Sequence, residues 1–108
     1  MTVFLIADVK ITNDSWVPAY AADVHEIVRK HGGQYLARSA NITTIEGEKP
    51  DTSVIALISF PSKTAFQEFL SDPDYAPHSA ARKAGSISRI NLIDDTDVAG
   101  TIPYLPKS

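Results

Sequence analysis

The stretch Thr52–Phe60 is apolar on both of its sides if it is extended. Val54, Ala56, Ile58 and Phe60 alternate with Ile55 and Leu57, so a strand there needs cover on two faces. Val3–Ile11 repeats the feature, with Val3, Leu5, Ala7, Val9 and Ile11 on one side and Phe4 and Ile6 on the other before Asp8 turns it polar. A sheet built on two such strands cannot leave either face in water cheaply. At 108 residues the chain has material for one core, so its own helices can cover one face only.

The rest of the pattern supplies those helices. Val17, Tyr20, Val24, Ile27 and Val28 recur at helical spacing up to His31, behind Ser15 as the expected cap and Pro18 in the first turn. Gly32-Gly33 stops this helix; phosphate-binding loops carry their glycines ahead of a helix, so the pair does not read as a phosphate cradle. Gln34–Ser39 predicts a second strand, alternating Tyr35 and Ala37 against Leu36 and Arg38, with residues 41–45 available to extend it before a turn at 46–51. Pro61 ends the third strand, and Ser62 caps a helix with a stripe of Ala65, Phe66, Phe69 and Leu70. Ser71-Asp72-Pro73-Asp74 breaks that helix, and a short one capped by Asp74 follows over Tyr75–Lys83. Ile87, Ile90, Leu92 and Ile93 mark a fourth strand. Residues 1–94 then form one domain, and 95–108 an extended C-terminal arm.

The order β-α-β-β-α-β, with its second helix split, is the ferredoxin-like α+β pattern: a four-stranded antiparallel sheet with helices on one face. The second face is expected to present Phe4, Ile6, Ile55, Leu57, Ile90 and Leu92. Burying each such side chain is worth about 1.5–3 kcal/mol, and together they rival a small domain's whole stability of about 5–15 kcal/mol. This predicts a second copy as cover, a homodimer through the sheet face.

Charge and composition exclude other partners. Ten Lys and Arg against thirteen Asp and Glu give a net charge of −3, with the basic residues scattered, which argues against nucleic acid. The chain has no cysteine, so disulfides and thiolate chemistry are excluded. No basic leader and no long apolar run is seen, so a cytoplasmic chain with no membrane partner is expected. His25, His31 and His78 lack metal-ligand spacing, so neither a metal nor another cofactor is expected. His31 reads instead as a favourable partner of the helix C-terminus.

Five residues stand out as ligand-binding candidates. Arg38, mid-strand beside apolar Leu36, needs an anion to offset burial, either a ligand or an intrachain carboxylate such as Glu46 or Asp8. Tyr75, His78 and Arg82 fall at i, i+3 and i+7 and could together bind or protonate an oxyanion, or form a solvated polar face with Tyr75 at the core rim. Tyr20 belongs to the core stripe of the first helix and takes a pocket role only if Arg38 and Arg82 converge on it.

Asn13-x-x-Trp16 through Tyr20, then His31-Gly32-Gly33-Gln34-Tyr35-Leu36-Ala37-Arg38, Glu46-Gly47, Phe60-Pro61-Ser62 with Ala65, and Ser71-Asp72-Pro73-Asp74-Tyr75 with Arg82 resemble domain of unknown function family 1330. That family lies within the dimeric α+β barrel superfamily. The chain departs from it at Asn13, where an Asp is usual, and at Asp72, which is inserted. The resemblance implies a homodimer with sheets packed face to face and a small-molecule cleft between each sheet and its helices. It implies no substrate. Two functions follow: a homodimer binding a small, possibly anionic molecule, or a cofactor-independent enzyme, isomerase- or monooxygenase-like, acting on a small carbonyl or aromatic acid.

Overall fold

The computed structural model describes residues 1–99, so residues 100–108 of the expected arm lie outside the described residues. In chain order the elements are β1 (Val3–Ile11), α1 (Val17–Lys30), β2 (Gln34–Ser39), β3 (Val54–Phe60), α2 (Lys63–Leu70), α3 (Ala76–Ala84) and β4 (Ser86–Asp94). The sheet runs β2-β3-β1-β4 with every neighbouring pair antiparallel. This is the predicted ferredoxin-like α+β order. Residues 41–45 do not extend β2. No helix among the described residues is long and apolar enough to cross a membrane.

Register decides which side of each strand is covered. Val3 pairs with Phe60, Leu5 with Ile58, Ala7 with Ala56 and Val9 with Val54, and this face meets Val24, Ile27 and Val28 of α1 and Phe66 and Phe69 of α2 in one core. Phe60, Val24 and Val28 are its most deeply buried side chains. The phenylalanines meet edge-on or tilted, Phe60 to Phe66 at 5.4 Å and Phe60 to Phe69 at 5.3 Å, geometries that add to their area burial.

The opposite face differs from expectation in β4. Phe4 pairs with Ile93, Ile6 with Asn91, Asp8 with Arg89 and Lys10 with Ile87. Ile90 and Leu92 therefore point to the helix side, and Ile87 and Ile93 take their places on the open side. A one-residue shift of phase exchanges the faces of a whole strand, and the apolar cluster Ile90-Asn91-Leu92-Ile93 does not fix that phase. Ile87 and Ile93 remain 57% and 53% exposed, beside half-buried Phe4, Ile6, Ile55 and Leu57.

Helix ends are settled by particular groups. The backbone N–H of Gly32 donates to Arg29 and that of Gly33 to Val28, closing α1. Gly32 holds φ at +77°, the left-handed region that favours glycine. Gly33 is needed for space, because a Cβ there would lie 2.6 Å from Val28 Cγ1 and 2.7 Å from Phe60 Cε1. Ser62 caps α2 as predicted, its Oγ accepting from the N–H of Ala65 at 3.0 Å. The other two expected caps fail: Trp16 and Tyr75 occupy the N-cap positions of α1 and α3 without side-chain cap bonds. Prolines in both first turns remove N–H groups that would otherwise need capping.

Asp72, inserted between α2 and α3, ties these elements to α1. It is buried although charged; its carboxylate accepts from His31 Nε2 at 2.7 Å, from Lys30 Nζ at 2.9 Å and from the N–H of Asp74 at 2.9 Å. His31 is thus held chiefly by Asp72 rather than by the helix end alone. The hydrogen bond from His31, then those from Lys30 and the Asp74 backbone, hold the Asp72 carboxyl well below the usual carboxylate range. A folded value depressed below the unfolded one, about 3.9, adds stability above that pH and loses it as the pH falls toward the folded value. Asp72→Asn should therefore melt several degrees below the parent at neutral pH, with the gap closing below about pH 4. Thermal melts across that range check it; a gap independent of pH would contradict the assignment.

Candidate functional site

Between the helix side of the sheet and α1 and α3 lies a cavity of about 290 Å³. Its floor follows from small residues at the sheet centre. Ala7 on β1 faces Ala56 on β3 across one pair and Ile90 on β4 across the other. Larger side chains at these alanines would fill the space under Tyr20 and Ala21 of α1. Leu5, Val9, Val54 and Ile58 complete the floor, and Val24 and Phe69 the wall.

Among the described residues the polar lining comes from five side chains on three elements: Tyr20 of α1, Tyr35 and Arg38 of β2, and Tyr75 and Arg82 at the two ends of α3. Arg38 reaches this side through an irregularity that strict alternation does not predict. The β2–β3 register shifts between Tyr35 and Ala37. Tyr35 then pairs with Ile58 and Arg38 with Ala56, both on the helix face, whereas Ala37 pairs with Leu57 on the open face. The extra residue, Leu36, is absorbed as a bulge and stays 47% exposed. Tyr35 and Arg38 therefore share a face, contrary to the alternation, and the Arg38 guanidinium carbon sits 4.5 Å above the Tyr35 ring. The expected partners fail: Asp8 lies on the open face, and no ion pair forms with Glu46.

Arg82 is the most confined charge of the site, only 6% exposed. Its Nε is buried with no hydrogen-bond partner among the described residues, and no carboxylate pairs with it there. Leaving such a donor unsatisfied costs about 1–3 kcal/mol. The Ser86 hydroxyl bonds the backbone carbonyl of Arg82, not its guanidinium. Tyr75, 5% exposed, packs on Phe69 at 4.3 Å between ring centroids. Its hydroxyl is 3.4 Å from that of Tyr20, long for a bond between hydroxyls. Trp16 lies edge-on to Tyr20 at 5.1 Å and donates from Nε1 to the Gly85 carbonyl at 3.0 Å, fixing the first turn of α1 against the end of α3.

Four of the five sequence candidates, Tyr20, Arg38, Tyr75 and Arg82, line this cavity. His78 does not. Its Nε2 lies 3.2 Å from Asp23 Oδ2, and it meets Tyr20 edge-on at 6.2 Å from the outer rim. The i+3 step from Tyr75 carries it toward α1, while the i+7 step returns Arg82 to the sheet. Tyr35 and the pair Ala7 and Ala56 also line the cavity, and strict strand alternation does not single them out. An alanine at the middle of each doubly apolar strand was the available signal.

Burial, followed by the nearby Tyr75 hydroxyl, pushes the Tyr20 phenol well above its ordinary value, against a weaker pull from Arg82. Burial also raises the Tyr35 phenol, opposed by Arg38. Both remain protonated donors at any physiological pH. In an ultraviolet titration Tyr20→Phe should leave the absorbance step near pH 10, the ordinary tyrosine value, unchanged. Loss of one tyrosine's amplitude from that step would contradict the burial of Tyr20.

The profile of a domain of unknown function (DUF1330) matches residues 2–96. No curated protein matches the sequence. Among solved structures, the RPA0582 protein of unknown function from Rhodopseudomonas palustris is similar at TM-score 0.76 and 18% identity, over 89% of this chain and 83% of that one. SnoaB, a cofactor-independent oxygenase from Streptomyces nogalater, is similar at TM-score 0.62 and 18% identity, over 89% and 94%. A dimeric ferredoxin-like protein of unknown function from Thermobifida fusca gives TM-score 0.55 and 16% identity, over 87% and 91%. At these identities the likeness is one of fold. The family match spans nearly all of the described residues, and the chain belongs to the domain of unknown function (DUF1330) family.

Proposed function

We propose that the protein is a homodimer that binds a small, anionic molecule in the cavity between its sheet and helices. The observation that carries this reading is Arg82, a buried arginine that lines an apolar cavity and whose Nε has no hydrogen-bond partner among the described residues. Among the described residues two arginines line that cavity, and no acidic side chain does. An uncompensated buried charge is costly, and a bound anion removes the cost. Arg38, exposed at the rim over Tyr35, adds attraction at the entrance. Tyr20 and Tyr75 offer hydroxyls to the same ligand.

Self-association is supported by the open sheet face. Phe4, Ile6, Ile55, Leu57 and Ile93 form an apolar patch across the three strands β3, β1 and β4, with Ile87 set apart from it by Asp8, Lys10 and Arg89; patches of this kind mark interfaces. The Thermobifida fusca protein of similar fold is described as dimeric.

A second reading, a cofactor-independent enzyme acting on a small carbonyl or aromatic acid, is favoured by one feature. Tyr20, kept protonated by burial and near Tyr75, is placed to donate to an oxyanion that Arg82 holds. His78, turned to Asp23, is a poor choice for that proton.

Native mass spectrometry of the purified protein tests the primary reading. The expected result is a dimer that retains a small molecule, with Arg82→Ala and Arg38→Ala dimeric but stripped of it, and Leu57→Lys monomeric. A monomeric parent protein, or an Arg82→Ala dimer that still retains the molecule, would overturn it.

A further inference from the structure

Resting on that reading, we propose that the cavity selects a compact apolar monocarboxylate of about ten to twelve carbons and rejects amines and zwitterions. Each polar side chain on the wall, among the described residues, carries a hydrogen-bond donor. Guanidinium groups carry N–H donors and no acceptor, and Arg38 and Arg82 supply two of them. The remaining polar lining among the described residues is three tyrosines, of which Tyr20 and Tyr35 are held protonated by burial. Among the described residues no Asp, Glu, Asn, Gln or His lines the cavity to receive an ammonium group. The carboxylates on and beside α1 and α3 have partners of their own, Asp23 with His78, Glu26 with Arg29, Asp72 with His31 and Lys30, and Asp74 with Lys30.

Arg82 narrows the anion further. A guanidinium can meet a carboxylate side-on, through Nε and one terminal nitrogen, in two parallel bonds. Its buried, unpartnered Nε is the atom that side-on docking uses and end-on docking leaves idle. A planar carboxylate fits that edge. The apolar floor of Leu5, Ala7, Ala56 and Ile58 offers nothing to sugar hydroxyls, so a polyol would bury groups without partners. Size follows from volume: a dry apolar cavity of about 150 Å³ holds benzene, and this one is about 290 Å³, roughly twice that.

Calorimetric titration with three matched probes tests the inference: naphthoate, its methyl ester, and naphthylmethylamine, all at neutral pH. Naphthoate should bind roughly ten- to hundredfold more tightly than the ester, and the amine should give no heat of binding. Arg82→Lys keeps a positive charge but lacks Nε and the fork, so it should lose most of the preference for acid over ester. Near-UV circular dichroism establishes that this variant is folded; Arg82→Met serves in its place if it is not. Equal affinity for acid and ester would overturn the selectivity while leaving a binding cavity in place. Binding of none of the three would overturn the selectivity and the binding reading together.

Discussion

The pairing of β1 with β3 governs the molecule. These central strands carry apolar side chains on both sides, Val3, Leu5, Ala7 and Val9 against Phe60, Ile58, Ala56 and Val54 on one, and Phe4, Ile6, Ile55 and Leu57 on the other. The first side is covered by α1 and α2. Among the described residues no element covers the second, which leaves Ile87 and Ile93 more than half exposed. Each face thereby acquires a different role, the helix side a cavity and the open side an apolar surface.

The cavity exists because the covered face is not uniformly packed. Phe60, Phe66 and Phe69 fill one end, whereas Ala7 opposite Ala56 leaves the middle shallow. Protein interiors are ordinarily close-packed, and deleted volume is destabilising unless something occupies it. Here the unfilled volume coincides with Arg82, whose Nε lacks a partner. A shortage of packing and a shortage of hydrogen bonding fall at one place, and one bound acid would relieve both.

Much of this was legible in the sequence, and the failures have physical causes. Strand and helix periods fixed the element order, and Ser62 was identified as a cap because its hydroxyl is well placed for the N–H of Ala65. The faces of β4 are not legible, because adjacent apolar residues Leu92 and Ile93 leave the phase of a strand undetermined. The bulge at Leu36 was invisible for a related reason: it is a property of the pairing with β3, not of the six residues of β2. Without it Arg38 would face away from Tyr35. The convergence of Tyr20, Tyr75 and Arg82 likewise depends on how α1 and α3 cross the sheet, which local periodicity does not encode.

The central claim is that Arg82 holds a carboxylate in the cavity, and a crystal structure of the protein with naphthoate tests it most directly. The account predicts the carboxylate within hydrogen-bond distance of Arg82 Nε, with the rings over Ala7 and Ala56. An Arg82 paired instead with a carboxylate of the protein itself, and naphthoate absent from the cavity, would contradict it.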